Sequence, residues 1–159
     1  MKTSSFKSNS PAETKKIGQK IGKELKAGDV VALVGKLGAG KTTIAKGIAR
    51  GLGVPDEEDV LSPSFVLIHE YEGREKIYHM DWYRLQSVEG SDEMLAEECF
   101  NSDGVTLVEW AERGRDIFPR DHIRIELEHK GPTVRLIKVS ARGKPHKGLL
   151  DSIGKTSHG

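Results

Sequence analysis

Gly35, Gly40, Lys41 and Thr42 stand at the spacing G-x-x-x-x-G-K-[ST] within the stretch GKLGAGKTT. Each residue type has a chemical reason to be there. Glycines at 35, 38 and 40 let the backbone curl and turn its N–H groups onto an anionic oxygen. A lysine in the place of Lys41 reaches the β- and γ-phosphates of a nucleotide, and a hydroxyl in the place of Thr42 coordinates Mg²⁺. The helix N-terminus that follows adds a partial positive charge. The phosphate-binding set is therefore Gly35, Gly38, Ala39, Gly40, Lys41, Thr42 and Thr43. The motif requires a strand before it and a helix after it. VVALV precedes it, and Ile44, Ile48 and Leu52 recur every four residues behind it.

Mg²⁺ needs carboxylates and waters beyond one hydroxyl. Two acids close apolar runs: Asp81 after KIYHM and Glu109 after VTLV. A strand-end acid is often only a solvated cap, but a phosphate loop must find its metal acids on neighbouring strands. VTLVE has the stronger buried-strand character, which favours Glu109 as the metal ligand. Asp81 then orients the attacking water or holds a metal-bound one. Lys41, Asp81 and Glu109 form the candidate catalytic set, and Thr42 and Glu109 the candidate metal set.

The chain contains no N-K-x-D guanine reader, and D-x-x-G occurs only as DSIG near the end. That favours ATP over GTP. Ser62, Pro63 and Ser64, in LSPSF, read equally well as an ordinary turn or as a switch loop sensing the γ-phosphate. Arg84 is the nearest candidate arginine finger, with a structural ion pair as the simpler reading.

The elements that must hold these residues follow from local pattern. Ser10, Pro11 and Glu13 form a capping box opening a helix with Ile17, Ile21 and Leu25 on one face. FVLIHEY and KIYHMDWY predict a hairpin across EGREK. SDEMLAEECF predicts a short helix beginning with a good cap. HIRIELEH and TVRLIKVSA alternate and predict a second hairpin. The sum is an α/β fold, with a mixed sheet parallel in the centre and antiparallel at its edge hairpins, flanked by helices.

Composition sets the bounds. The 159 residues suffice for one ordinary domain, and the formal net charge of +1 carries no bulk bias toward nucleic acid. No apolar run nears the roughly 20 residues of a membrane span, and MKTSSFKSNS lacks the apolar core of a signal peptide. The one cysteine, Cys99, reads as a small reduced core residue. A cytoplasmic protein with no membrane association is expected. The expected organisation is a disordered arm over 1–9, the ATPase domain over 10–142 and a flexible basic tail over 143–159. The tail is read as a solvated extension, with weak contact to RNA or an acidic surface as the other option.

GDVVALVGKLGAGKTT, SPSF, YHMDWYRL and LVEWAE, in this order and at these separations, resemble the bacterial TsaE (YjeE) family. Members are small P-loop ATPases needed for the N6-threonylcarbamoyl modification of adenosine 37 in tRNAs that read ANN codons. The resemblance runs from about Ser10 to Arg142. It implies a P-loop NTPase fold, with Ser62 to Phe65 as a switch loop and Asp81 as an active-site acid near the γ-phosphate. It also implies Glu109 as a Mg²⁺ ligand and Trp110 close to the nucleotide or switch region. The helix start from Ser10 to Thr14 would approach the adenine end. The implied partners are the threonylcarbamoyl transferase subunit TsaD and its paralogue TsaB. Hydrolysis by the ATPase would support their repeated turnover, and direct tRNA contact is left open. Two residues depart from the family pattern: Lys36 where an aspartate is usual, and Ser64 where threonine is usual. The competing functions are a P-loop small-molecule kinase, with SDEMLAEECF closing over an acceptor, and a non-hydrolysing nucleotide-dependent interaction module.

Overall fold

The computed structural model describes residues 2–36, 38–55, 60, 68–143 and 149–150. The capping box forms as its residues dictate. Ser10 is the extended N-cap of α1 (Pro11–Glu24), and its hydroxyl accepts the Glu13 N–H at 3.1 Å. Glu13 reaches back one residue further than the motif requires, to the Asn9 N–H. β2 (Val30–Gly35) is the apolar strand before the phosphate loop, and α2 (Lys41–Gly51) is the helix after it.

The first hairpin is β3 (Ile68–Glu72) with β4 (Lys76–Asp81), and β5 (Val105–Glu109) is buried along its whole length. The second hairpin is β6 (His122–His129) with β7 (Arg135–Arg142). Among the described residues one sheet has the order β1-β7-β6-β2-β5-β4-β3, where β1 is Lys2–Ser8. β6, β2, β5 and β4 run parallel in the centre. β1, β7 and β3 are antiparallel additions at the two edges.

Three local expectations are corrected. The first nine residues, expected to be disordered, contribute β1, which pairs with β7 from Lys2↔Ala141 to Ser8↔Arg135. Only Phe6 gives that strand an apolar anchor, so the ladder of backbone hydrogen bonds holds it in place. α3 (Ser91–Phe100) is capped by Gly90 with no side-chain cap, because Ser91 already lies inside the first turn. In the tail expected to be flexible, Leu149 and Leu150 are helical and buried in the main core.

The sheet separates two apolar clusters. Val31, Leu33, Ile77, Leu107 and Ile125 face α1 and α2. Val30, Ala32, Met80, Trp82 and Val108 face α3, through Ala96, Cys99 and Phe100. The period of two along each strand makes this division. It also decides where the acids go. Asp81 shares a face with Ile77, and Glu109 with Leu107, so both look toward the α2 side at the carboxyl ends of parallel strands.

α1 and α2 touch backbone to backbone. A Cβ on Gly22 would lie 2.2 Å from the Ile48 carbonyl oxygen, and one on Gly47 would lie 2.3 Å from that of Lys15. Gly18 and Gly51 are equally crowded, at 2.6 and 2.3 Å from Ile44 and Gln19 oxygens. This seam fixes α2, and with it the start of the phosphate loop helix, against the rest of the domain.

Candidate functional site

The loop between β2 and α2 needs glycine twice for its backbone. Gly38 has φ +79° and Gly40 φ +103°, a region that residues with a Cβ rarely adopt. Gly35 needs glycine for space: a Cβ there would stand 2.8 Å from the Leu127 oxygen. Arg135, at the start of β7, ties this loop to the turn after β6. Its guanidinium donates to the carbonyls of Ala39 at 3.1 Å and Gly38 at 3.3 Å, and to those of Gly131 and Val134. The peptides are trans, so pinning the Ala39 carbonyl turns the Gly40 N–H to the opposite side. Arg135 has no signal in the sequence, where it is one polar residue of an alternating strand.

Lys41 is buried at the first turn of α2. Its ammonium donates to the carbonyl oxygens of Gly35 and, at 3.3 Å, Lys36, and sits 3.7 Å from the centre of the Trp110 ring. Burial lowers its pKa, against the opposing pull of Glu112, Glu109 and Asp81. Trp110 holds this place through its backbone. Its φ of +58° is the one positive value on a non-glycine among the described residues, and it turns the chain out of β5 directly after Glu109. For a bulky side chain that is an outlier. Tyr83 also packs against the ring, with 4.9 Å between centroids.

The two acids are register partners, Asp81 opposite Glu109 across β4 and β5. Asp81 is buried and accepts the Tyr83 N–H at 2.8 Å, which closes the turn after β4. Glu109 is 2% exposed. One oxygen accepts the Thr42 hydroxyl at 3.1 Å, and the other lies 2.6 Å from His79 Nε2. Asp81, Glu109, Lys41, Thr42 and Trp110 thus lie around the start of α2. Thr43 lies one position on, lining a small cavity of about 60 Å³ with Gly40, Arg135, Pro11 and Thr14. Pro11 and Thr14 bring the start of α1 to the edge of this loop. Lys36 is exposed. Arg84 is exposed in the turn after β4. Ser62, Pro63 and Ser64 lie outside the described residues.

The residues suit a phosphate–magnesium ligand. Two oxygens 3.1 Å apart, from Thr42 and Glu109, match adjacent corners of an octahedron with arms of about 2.1 Å. Among the described residues no group of three or more His, Cys, Asp or Glu could hold a metal, and one hydroxyl with one carboxylate is a sparse protein ligand set of the kind Mg²⁺ completes with water and substrate phosphate. That is how Mg²⁺ is usually bound, whereas Zn²⁺ is closed in by protein ligands.

The family model for the threonylcarbamoyl adenosine biosynthesis protein TsaE matches residues 8–137. This chain belongs to the TsaE family. The TsaE protein of Bacillus subtilis is 37% identical over 98% of this chain and 96% of its own. That of Treponema pallidum is 42% identical over 76% of this chain and 87% of its own. The crystal structure of Bacillus subtilis YdiB superposes with a TM-score of 0.79 at 33% identity, covering 98% of this chain and 96% of that one. Within this TsaE-family chain the comparison covers both the phosphate loop and the strand-end acids. No helix among the described residues is long and apolar enough to cross a membrane.

Proposed function

We propose that this chain is a Mg²⁺-dependent ATP-binding and ATP-hydrolysing subunit that supports threonylcarbamoyladenosine formation in tRNA, working in the cytoplasm with a TsaD–TsaB-type transferase pair. The observation that carries the reading is the Thr42 hydroxyl 3.1 Å from a buried Glu109 carboxylate, at the mouth of a glycine loop that also holds Lys41. We read the carboxylates in that arrangement as holding metal and water, not as nucleophiles. Its resources are charge and position, which is what phosphoryl transfer to water requires.

Loop N–H groups and Lys41 bind the phosphates. To reach them Lys41 exchanges the carbonyls of Gly35 and Lys36 for phosphate oxygens, a favourable trade for a cation whose burial already disfavours its charge. Thr42 and Glu109 would hold Mg²⁺, which supplies charge neutralisation on the phosphoryl oxygens. Asp81, one strand from Glu109, accepts a hydrogen bond from the attacking water and aligns it with the β–γ bond. Trp110 walls the site on the Lys41 side and limits water around it. The kinase alternative would use α3 as a lid. Ala96, Cys99 and Phe100 instead bury α3 against the far face of the sheet.

The test is hydrolysis of ATP by the wild type and Glu109→Ala, with and without the transferase pair. ADP and phosphate, with at least a ~100-fold loss in the variant and faster turnover with the pair, support the reading. Unchanged turnover in the variant removes the metal assignment. A phosphorylated nucleoside or sugar from an acceptor panel would replace the ATPase with a kinase.

A further inference from the structure

His79 is fully buried in β4, two residues before Asp81 and on the same face of the sheet. Its Nε2 is 2.6 Å from Glu109 Oε2, and its Nδ1 is 3.1 Å from the Tyr71 hydroxyl on β3. Tyr71 is itself 8% exposed. The proton positions follow from the chemistry of the partners. An ionised carboxylate can only accept. Nε2 therefore carries the hydrogen that points at Glu109, and Nδ1 accepts the Tyr71 hydroxyl proton. Both ring nitrogens are satisfied, as a buried imidazole requires.

This chain of contacts does something that the metal pair cannot do alone. The terminal torsion of a glutamate is broad, so a lone carboxylate turns its oxygens freely. With Oε2 committed to His79, only Oε1 is left for the Thr42 side, where it stands at 3.1 Å. We infer that His79, braced by Tyr71, is a positioning residue that presents Glu109 Oε1 to the divalent cation beside Thr42. Groups that hydrogen-bond a ligating carboxylate from outside the ligand set orient it, and loss of such a partner costs about 10–100-fold in metal affinity or activity. The inference rests on the Mg²⁺ reading above.

The experiment is calorimetric ADP binding by the full chain, in EDTA and across a Mg²⁺ titration. His79→Leu should need about 10–100-fold more Mg²⁺ to tighten ADP binding, with ADP affinity in EDTA within about twofold of wild type. His79→Gln, whose amide N–H can occupy the Nε2 position, should recover most of that loss. A filler of the core without a positioning role would not show this rescue. Tyr71→Phe removes one hydroxyl with little risk to folding and should shift the Mg²⁺ midpoint by about fivefold. It decides the matter together with His79→Gln if His79→Leu does not fold. Nitrogen-15 spectra of the ligand-free protein should show His79 locked as the Nε2–H tautomer. Wild-type Mg²⁺ midpoints in His79→Leu and Tyr71→Phe, no rescue by glutamine, or an Nδ1–H tautomer would overturn the positioning role. A wild type whose ADP binding ignores Mg²⁺ would overturn the metal reading itself, and the positioning role with it.

Discussion

Two sets of glycines in this chain do opposite jobs. Gly38 and Gly40 have room for a Cβ, with nearest atoms at the ordinary contact distances of 3.7 and 3.6 Å, but hold left-handed backbones. Gly18, Gly22, Gly47 and Gly51 sit in ordinary helix but have no room at all, with backbone oxygens 2.2–2.6 Å from where a Cβ would go. The first set uses the torsional freedom of glycine, and the second uses its smallness. The loop therefore takes a backbone that glycine alone holds without steric cost, while the seam turns absence of side chain into close helix packing. The functional region and the region that supports it can be broken separately.

The largest effect is expected in the seam. Gly22→Ala drives a methyl to 2.2 Å from the Ile48 oxygen, and α1 cannot yield without moving off α2. Overpacking against backbone should cost about 3 kcal/mol or more. In a chain of this size that lowers Tm by roughly 6–12 °C. Nucleotide affinity of the folded fraction should stay within about twofold. A Tm change under ~2 °C by differential scanning calorimetry would mean that the helices part freely.

Gly40→Ala should show the reverse pattern. The left-handed backbone costs a side chain about 1–3 kcal/mol. The loop can relax to avoid much of that, at the expense of the N–H geometry that holds phosphate. Nucleotide binding should weaken by about 10–100-fold, with a Tm loss smaller than that of Gly22→Ala. Full retention of affinity would show that the Gly40 conformation is not needed for phosphate.

The same contrast explains what could be read from the chain alone. The loop glycines, Lys41 and Thr42 are legible because their geometry is local and their spacing reports it. Asp81 and Glu109 are legible because an acid at the end of an apolar run must face somewhere, and parallel strands bring such ends together. The helix seam is not legible, since Gly18 and Gly22 carry meaning only against Gly47 and Gly51 from another helix. His79 reads as a buried-strand residue until β3 and β5 supply its partners. β1 escapes because KTSSFKS has no hydrophobic alternation, and its place is set by the free edge of β7.

Arg135 links the two regions, since its backbone belongs to β7 and its guanidinium to the loop carbonyls of Gly38 and Ala39. Arg135→Ala removes donors from partly buried oxygens, at about 1 kcal/mol each when water cannot fully replace them. Nucleotide affinity should fall about 5–10-fold, with a Tm loss of a few degrees at most. Arg135→Lys should recover only part of this, because an ammonium cannot span several carbonyls as a planar fork does. Equal affinity in all three proteins, measured by calorimetry, would leave the loop self-supporting.

The smallest effect is expected at Cys99, on the face of the sheet away from both glycine sets. Burial raises its thiol pKa from the ordinary 9.0 to about 11, with Glu98 and Glu70 adding to the rise. At pH 8 its thiolate fraction falls from about a tenth to about a thousandth, so alkylation in the folded state should be about 100-fold slower than for a free thiol. The folded state holds this proton more tightly than the unfolded one, so the associated stability is full below pH 9 and is lost as pH rises through about 11. Any faster reaction then comes from molecules in which the α3 face has opened, so alkylation also reports which region loosens the whole domain. Gly40→Ala should alkylate within about twofold of wild type. Gly22→Ala should be faster, by up to about 150-fold if α3 opens only with global unfolding, since each tenfold corresponds to about 1.4 kcal/mol. Equal acceleration in both variants would mean that loop and seam form one cooperative unit, and the division between them would fall.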